Sequence, residues 1–336
     1  MRTLEYLRPA TPADAVRAVA EHPGARYLGG GTNLVDHLKL GIAAPELLVD
    51  VSRLPLDEVE TYDDGSGAGL RVGANVRNSD LAAHPLVRSE LPLVARALLA
   101  GASGQIRNQA TTGGNLLQRT RCVYFQDPTT PCNKREPGSG CSAIEGYGRY
   151  NAILGASPDC VATHPSDLAV ALVALDTTVV VLGADGERRV PLEELHRLPA
   201  DDPSRDTRLA PEDLVTAVEI PLAGATKLST YRKVRDRASY AFALVSVAAA
   251  LHLTEGIVTD VRIAWGGVAH VPWRARRAEA ALIGHALTEQ AIREAVGDEL
   301  RHAETSEQNA YKPPMLRRTT AHTLLQLAAQ SREESR

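Results

Sequence analysis

All four cysteines of the chain lie between Cys122 and Cys160, spaced Cys122-x9-Cys132-x8-Cys141-x18-Cys160. Three of them sit in the segment from Gln118 to Arg149, which is rich in Pro and Gly and poor in aliphatic residues. Such a segment has too little apolar surface to build a core, so it reads as an inserted, crosslinked loop carried by a domain that folds around it. Four thiolates hold either a tetrahedral Zn²⁺ or a [4Fe-4S] cluster. Zinc sites commonly pair their ligands as CxxC, and no such pair occurs here; wide single spacings favour the larger cuboidal cluster. The clustering argues against four unrelated thiols, and against a disulfide framework that staples a whole secreted chain.

A length of 336 residues accommodates two or three domains. With 44% hydrophobic and 23% charged residues, a disordered, collagenous or coiled-coil chain is excluded. A net charge of -4 and two short Arg clusters (Arg274, Arg276, Arg277; Arg317, Arg318) supply no field for nucleic acid. The longest apolar stretch, Ala241 to Leu253, is half a membrane span and contains Ser246 and His252. Met1 to Ala10 lacks the apolar core of a secretory signal, so the chain by its own sequence is expected in the cytoplasm. Export with a partner that carries a twin-Arg signal stays open.

The first segment alternates helix and strand. Thr3–Arg8 reads as a strand, Pro12–His22 as a helix capped by Thr11, and Arg26-Tyr27-Leu28 as a strand running into Gly29-Gly30-Gly31-Thr32-Asn33-Leu34 and a helix over 35–40. A strand over 46–51, a hairpin of 58–62 with 70–74 around Asp63-Asp64-Gly65-Ser66-Gly67, and a short helix capped by Asn78-Ser79-Asp80 follow. Residues 91–100 read as helix and 101–114 as a polar loop. Regular structure is expected at 152–156, a helix over 166–175, strands at 178–182 and 214–220, and a short helix near Leu192. A break at Pro221-Leu222-Ala223-Gly224 precedes three strands (228–234, 242–253, 258–265) and helices over 274–284, 289–303 and 313–329. Strands followed by helices predict an α+β domain with a three-stranded sheet.

Consecutive small residues between a strand and a helix, as in Gly29–Leu34, expose backbone N–H groups that suit an anion, most often a phosphate. The segment lacks the Lys-Ser/Thr ending of a P-loop and does not match GxGxxG, so a plain tight turn is the competing reading. Arg107-Asn108-Gln109-Ala110-Thr111-Thr112-Gly113-Gly114-Asn115-Leu116 is a second loop of this kind, and a pair fits a dinucleotide whose pyrophosphate is held from two sides. His164-Pro165-Ser166-Asp167 precedes an apolar helix, where Ser166 or Asp167 caps it or a carboxylate accepts from a ribose or ring N–H; His164 has no metal-ligand neighbours in sequence and reads as packing or capping. In Lys233-Val234-Arg235-Asp236-Arg237-Ala238-Ser239-Tyr240 a solvated strand start competes with a cation for an anionic flavin or phosphate and with Tyr240 lying against a ring system.

Together these four segments resemble the FAD-binding subunit of the molybdenum hydroxylases (the xanthine dehydrogenase family). The likeness is greatest to the FAD- and iron-sulfur-carrying subunits of heterotrimeric bacterial aldehyde oxidoreductases, and covers essentially the whole chain. It implies an α+β fold with a two-subdomain FAD-binding domain of the vanillyl-alcohol-oxidase type over residues 1–222. The subdomains are expected at about 1–55 and 56–222, with the iron-sulfur insertion at about 118–160 and a C-terminal flavoprotein domain over 223–336. By matching position, Arg26 through Leu34 wrap the pyrophosphate, and Thr111, Gly114 and Asn115, in the loop begun by Arg107 and Asn108, contact phosphate and ribose. Asp167 meets the adenosine side or ribose, Val215 the adenine surroundings and Lys233 the isoalloxazine edge. Cys122, Cys132, Cys141 and Cys160 match the version of the family whose loop carries a [4Fe-4S] cluster. Tyr240 stands where many relatives carry an acid, which points to a quinone, dye, ferredoxin or oxygen as acceptor in preference to NAD. The implied function is electron transfer from a molybdopterin large subunit and a [2Fe-2S] small subunit through FAD to an external acceptor, with no protein acid, base or nucleophile as catalyst. A self-contained flavin oxidase and a zinc-bound scaffold are the alternatives.

Overall fold

The computed structural model describes residues 3–63, 65, 67–200 and 202–334. Met1 and Arg2 of the opening segment, Asp64 and Ser66 of the expected hairpin turn, and the last two residues of the expected C-terminal domain lie outside them. The chain opens on a parallel sheet of β1 (Glu5–Leu7), β2 (Arg26–Leu28) and β3 (Leu47–Asp50) in the order β1-β3-β2. The helix Pro12–Glu21 starts where expected, because the Thr11 hydroxyl accepts from the Asp14 N–H at 3.1 Å and Pro12 needs no donor at the first turn. Its Ala15, Val16 and Val19 pack on Leu47 and Val49.

A second sheet joins β4 (Val59–Asp63), β5 (Ala68–Gly73), β6 (Thr178–Gly183), β7 (Gly186–Pro191) and β8 (Leu214–Pro221), all antiparallel, in the order β4-β5-β8-β6-β7. The sequence reading omits β7. Its Gly-Glu-Arg-Arg-Val-Pro run is exposed and charged, the signature of an edge strand, with no alternating apolar face to betray it. The helix Asp167–Ala174 is buried at every position from Leu168 to Ala174, as an all-apolar helix must be, and lies between this sheet's layer and the next.

The C-terminal sheet is β12-β11-β10-β9, formed by β9 (Ser229–Val234), β10 (Val245–Thr254), β11 (Ile257–Gly266) and the two-residue edge β12 (Trp273–Arg274). It therefore has four strands where three were expected; a two-residue edge pairing carries no periodicity to read. Val245, Val247, Ala249 and Leu251 of β10 face the core shared with Trp265 and the helices Arg276–Leu282, Glu289–Glu299 and Lys312–Glu334. Ala248, on the opposite face, joins the core of the second sheet.

Three local expectations are corrected. Residues 101–114 are not a plain loop: Ser103 caps the helix Gly104–Gln109 and Thr111 caps Thr112–Leu116, two single turns too short for a periodic signal. Residues 152–156 form no element beyond an isolated bridge of Leu154 to Ala269. Asn78 does not cap its helix: it is the first helical residue, Arg77 occupies the cap position with no side-chain cap bond, and the Asn78 N–H is bonded to Ala110 O at 3.0 Å. Among the described residues no helix is long and apolar enough to cross a membrane.

Arg274 ties the layers together. Its Nε donates to Glu279 and its Nη1 to Val173 O (2.6 Å) and Asp176 (3.0 Å), with side-chain exposures of only 2% for Arg274 and 7% for Glu279. Breaking a buried pair strands the other charge. Arg274→Met is expected to lose roughly 3–5 kcal/mol of stability, read as a fall in the urea midpoint at unchanged slope; an unaltered midpoint would remove the pair from the account.

Candidate functional site

The two glycine loops meet. After β2 the chain turns at Gly31, whose φ of +75° suits glycine, and enters the helix Leu34–Leu40. A Cβ placed on Gly30 would stand 2.2 Å from Gln109 O, and one on Gly29 would stand 3.2 Å from Thr111 Oγ1. Thr111 Oγ1 accepts from the Gly114 N–H at 3.2 Å, opening the helix Thr112–Leu116. Ser166, and not Asp167, caps the helix Asp167–Ala174, accepting from the Ala169 N–H at 2.9 Å while its hydroxyl donates to Asn115 Oδ1 at 2.5 Å. The first loop, the second loop and the His-Pro-Ser-Asp turn thus converge on one cleft of about 570 Å³, a size ordinary for a cofactor site.

Thr32, Asn33, Arg107, Gly114, Asn115, Asp167, Lys233 and Tyr240 line that cleft. The other expected contacts do not. Leu28, Gly29, Gly30, Gly31 and Leu34 shape the turn behind the wall, and Thr111 is buried beneath it. Arg26 and Asn108 are exposed, Tyr27 donates to Glu212 O at 2.5 Å, and Val215 sits in the core opposite Val181 on β6.

Asp167 anchors the electrostatics of one wall: it accepts from Lys233 Nζ at 2.8 Å and from the Tyr231 hydroxyl, both side chains of the ion pair being almost fully buried. Asn33 is held on both sides. Its Nδ2 lies 3.1 Å from His37 Nε2 and its Oδ1 accepts from the Arg119 N–H at 2.9 Å. Burial, reinforced by Arg121 and Arg119, pushes His37 down to about 4, so its ring is the neutral acceptor this arrangement needs.

Three cleft residues escaped the sequence reading as ligand contacts. Arg121 faces the cleft largely buried, stacks over Phe242 at 5.5 Å, and donates only to Arg119 O among the described residues; burial lowers its pKa, Asp36 on the same cleft partly offsets this, and no carboxylate among the described residues forms an ion pair with it. Asn78 Oδ1 and His164 Nε2 are buried polar atoms on the cleft wall without a protein partner. Burial, with His196 and His270 adding, keeps His164 neutral; its Nδ1 accepts from the Ser166 N–H at 3.3 Å, so the proton is on Nε2, a donor without a hydrogen-bond partner among the described residues. An orphaned donor, an orphaned acceptor and a guanidinium without an ion pair fit a polar, anionic ligand such as a dinucleotide. An adjacent run of small polar letters signals Asn33 or Asn115; nothing comparable marks Arg121.

The four cysteines come together. All are free thiols, and all line a single small cavity with Thr120, Phe125, Asn133 and Lys134. Cys132 and Cys141 are held as a bridge pair, and Ser157 pairs with Cys160. Burial raises the Cys122 thiol and pushes Cys160 up to about 11, so both are protonated until something electropositive displaces the proton. Among the described residues, no three His, Cys, Asp or Glu side chains are grouped as they would be around one metal ion. The insertion is latched through Lys134, whose buried Nζ donates to Asp206 Oδ1 (2.5 Å) and Pro203 O (2.8 Å) and meets His270 Nε2 at 2.9 Å; Arg119 binds the same carboxylate. Thr120, Cys122 and Ala162 line both this cavity and the cleft.

Comparison with known proteins agrees with this geometry. The family model described as the FAD binding domain in molybdopterin dehydrogenase matches residues 2–223, and that of the CO dehydrogenase flavoprotein C-terminal domain matches residues 229–331. The chain is 49% identical over 333 residues to the aldehyde oxidoreductase FAD-binding subunit PaoB of Escherichia coli, covering 98% of this chain and all of that one. It is 29% identical to the glyceraldehyde dehydrogenase medium chain of Sulfolobus acidocaldarius, over 86% of this chain and 84% of that one. Carbon monoxide dehydrogenase from Hydrogenophaga pseudoflava superposes with a TM-score of 0.75 at 25% identity, covering 98% of each chain. The expected fold class therefore holds, and the chain belongs to the family of FAD-binding oxidoreductase subunits of the molybdenum hydroxylases.

Proposed function

We propose that this chain is the FAD- and [4Fe-4S]-carrying electron-transfer subunit of a molybdenum-dependent aldehyde oxidoreductase. One observation carries the reading: the cavity of four thiols and the dinucleotide-sized cleft share a wall at Cys122. The 49%-identical relative named as an aldehyde oxidoreductase subunit supports the substrate class of the complex. Two sites in contact suit a carrier of one electron beside a carrier of two, which is the chemistry that cluster and flavin supply when bound.

The residues divide the work. Thr32, Asn33, Gly114 and Asn115, with the cationic Arg121 and Arg107, hold the pyrophosphate and ribose; the turn through Gly29, Gly30 and Gly31 sets the approach. Lys233, fixed by Asp167, reaches the isoalloxazine edge. Arg26, Tyr27, Leu28, Leu34, Asn108, Thr111 and Val215 act behind these contacts. Cys122, Cys132, Cys141 and Cys160 ligate the cluster; their convergence on one cavity supports this reading. Residues 1–222 form the FAD domain, with subdomains at about 1–55 and 56–222, and 223–336 the C-terminal domain. Partners are a molybdopterin large subunit and a [2Fe-2S] small subunit. Tyr240 stands at the cleft mouth at 56% exposure with Arg237 stacked 5.6 Å from its ring, which favours an acceptor other than NAD. The complex works in the cytoplasm, or in the periplasm after export with a signal-bearing partner.

Native protein is expected to contain one FAD and about four iron and four acid-labile sulfide per chain, and to copurify with molybdenum. Cys132→Ser is expected to abolish the broad iron-sulfur absorption while the flavin bands remain; full iron in that variant would exclude Cys132 as a ligand. Gly30→Ala drives a methyl group into Gln109 O and must part the two loops. Its FAD affinity is expected to fall at least about tenfold, of the order of 1–3 kcal/mol, measured by flavin retained after gel filtration with iron content as the internal control.

A further inference from the structure

Lys312 is fully buried, and among the described residues its Nζ has no carboxylate partner. It donates to two backbone carbonyls, Asn151 O and Gly267 O, each at 2.7 Å. Burying an unpaired ammonium is unfavourable by several kcal/mol in order of magnitude. Its position makes matters worse, because it is the first residue of the 23-residue helix Lys312–Glu334, where the helix dipole is already positive. Stability alone gives no reason for a cation here. Both carbonyls belong to residues that line the flavin cleft, Asn151 following Tyr150 in the chain and Gly267 packed against Ala243, which follows Phe242; Tyr150 and Phe242 line the cleft as well. The turn at Gly267 has φ +73°, and a Cβ there would stand 2.9 Å from Ala243 O, so only glycine lets the backbone pass here between the cleft and the ammonium that its carbonyl accepts.

We propose that Lys312 is a charge-positioning residue: lodged behind Asn151 and Gly267, its ammonium favours the reduced, anionic flavin over the oxidised, neutral one. The inference rests on the flavin reading of the cleft. Two electrons from the partner subunits and one proton convert the neutral ring to an anion, and a fixed cation behind Asn151 and Gly267 stabilises that product without touching it. Burial alone pushes Lys312 down to about 7, so its charge is present below that pH and lost above it. Ionisable groups on the surrounding segments are Tyr311, whose hydroxyl donates to Arg149 O; Arg149 and Tyr150, which both bind Asp236 at 2.6 Å; and His270, which lies against Lys134 and Asp206.

The test uses the purified holoprotein with bound flavin quantified first; native protein without FAD would refute the cofactor reading rather than this one. In Lys312→Met and Lys312→Gln the flavin is expected to remain bound. At the potential that half-reduces native protein at pH 6, the ratio of reduced to oxidised flavin should fall about tenfold, the scale of one unit charge acting over on the order of 10 Å of protein interior. Lys312→Arg should restore it. Loaded neutral variants with the native ratio overturn the proposal and leave Lys312 a carbonyl clamp. Should neither neutral variant keep flavin, native protein and Lys312→Arg are titrated from pH 6 to 9: arginine keeps its charge throughout, so the native ratio must drop relative to Lys312→Arg above about 7. Parallel profiles overturn the proposal.

Discussion

A backbone carbonyl set against a bare α-carbon, Gln109 O against Gly30, is the contact on which the cleft depends. It lets the turn after the parallel sheet and the turn before the helix Thr112–Leu116 lie in van der Waals contact, so that Thr32 and Asn33 of the first loop and Gly114 and Asn115 of the second line one space. No side chain intervenes, and none could. Everything the cleft offers a ligand, from the amide of Asn33 to that of Asn115, is registered by this approach and by the cap that Ser166 extends to Asn115.

The cysteine segment is fixed by charge in place of an apolar core. Asp206 receives Arg119 and Lys134, and burial that would raise its pKa is overcome by His270, Lys134 and Arg119, which hold it well below the usual carboxylate range. Lys134 is 1% exposed, so this is a buried network whose members are each expensive to remove singly. That arrangement explains how a stretch poor in aliphatic residues is ordered: it borrows partners at 203–206 and His270 from outside the segment, and its own short turns are closed by Arg135 on Phe125 O at 2.8 Å and by Gly140 on Asn133 Oδ1 at 2.8 Å.

What the sequence made legible shares one property, locality. Thr11 and its Pro, the glycine turns, the apolar strands β5, β8 and β10, and the all-apolar helix Asp167–Ala174 are written in consecutive residues. The clustering of thiols is likewise local, and their shared cavity follows it. What was not legible depends on partners distant in the chain. β7 exists because β6 offers it an edge, the Asn78 N–H is taken up by Ala110 O from a distant loop, and Arg121 and Lys312 become unusual only when the fold removes water from around them. Val215 was carried to the adenine by positional matching alone, and strand alternation turns its side chain into the core instead.

The partition at Thr120, Cys122 and Ala162 is a single residue thick. A boundary of that thinness makes the two spaces neighbours in the strict sense: a substitution that displaces Thr120, Cys122 or Ala162 alters the walls of both at once.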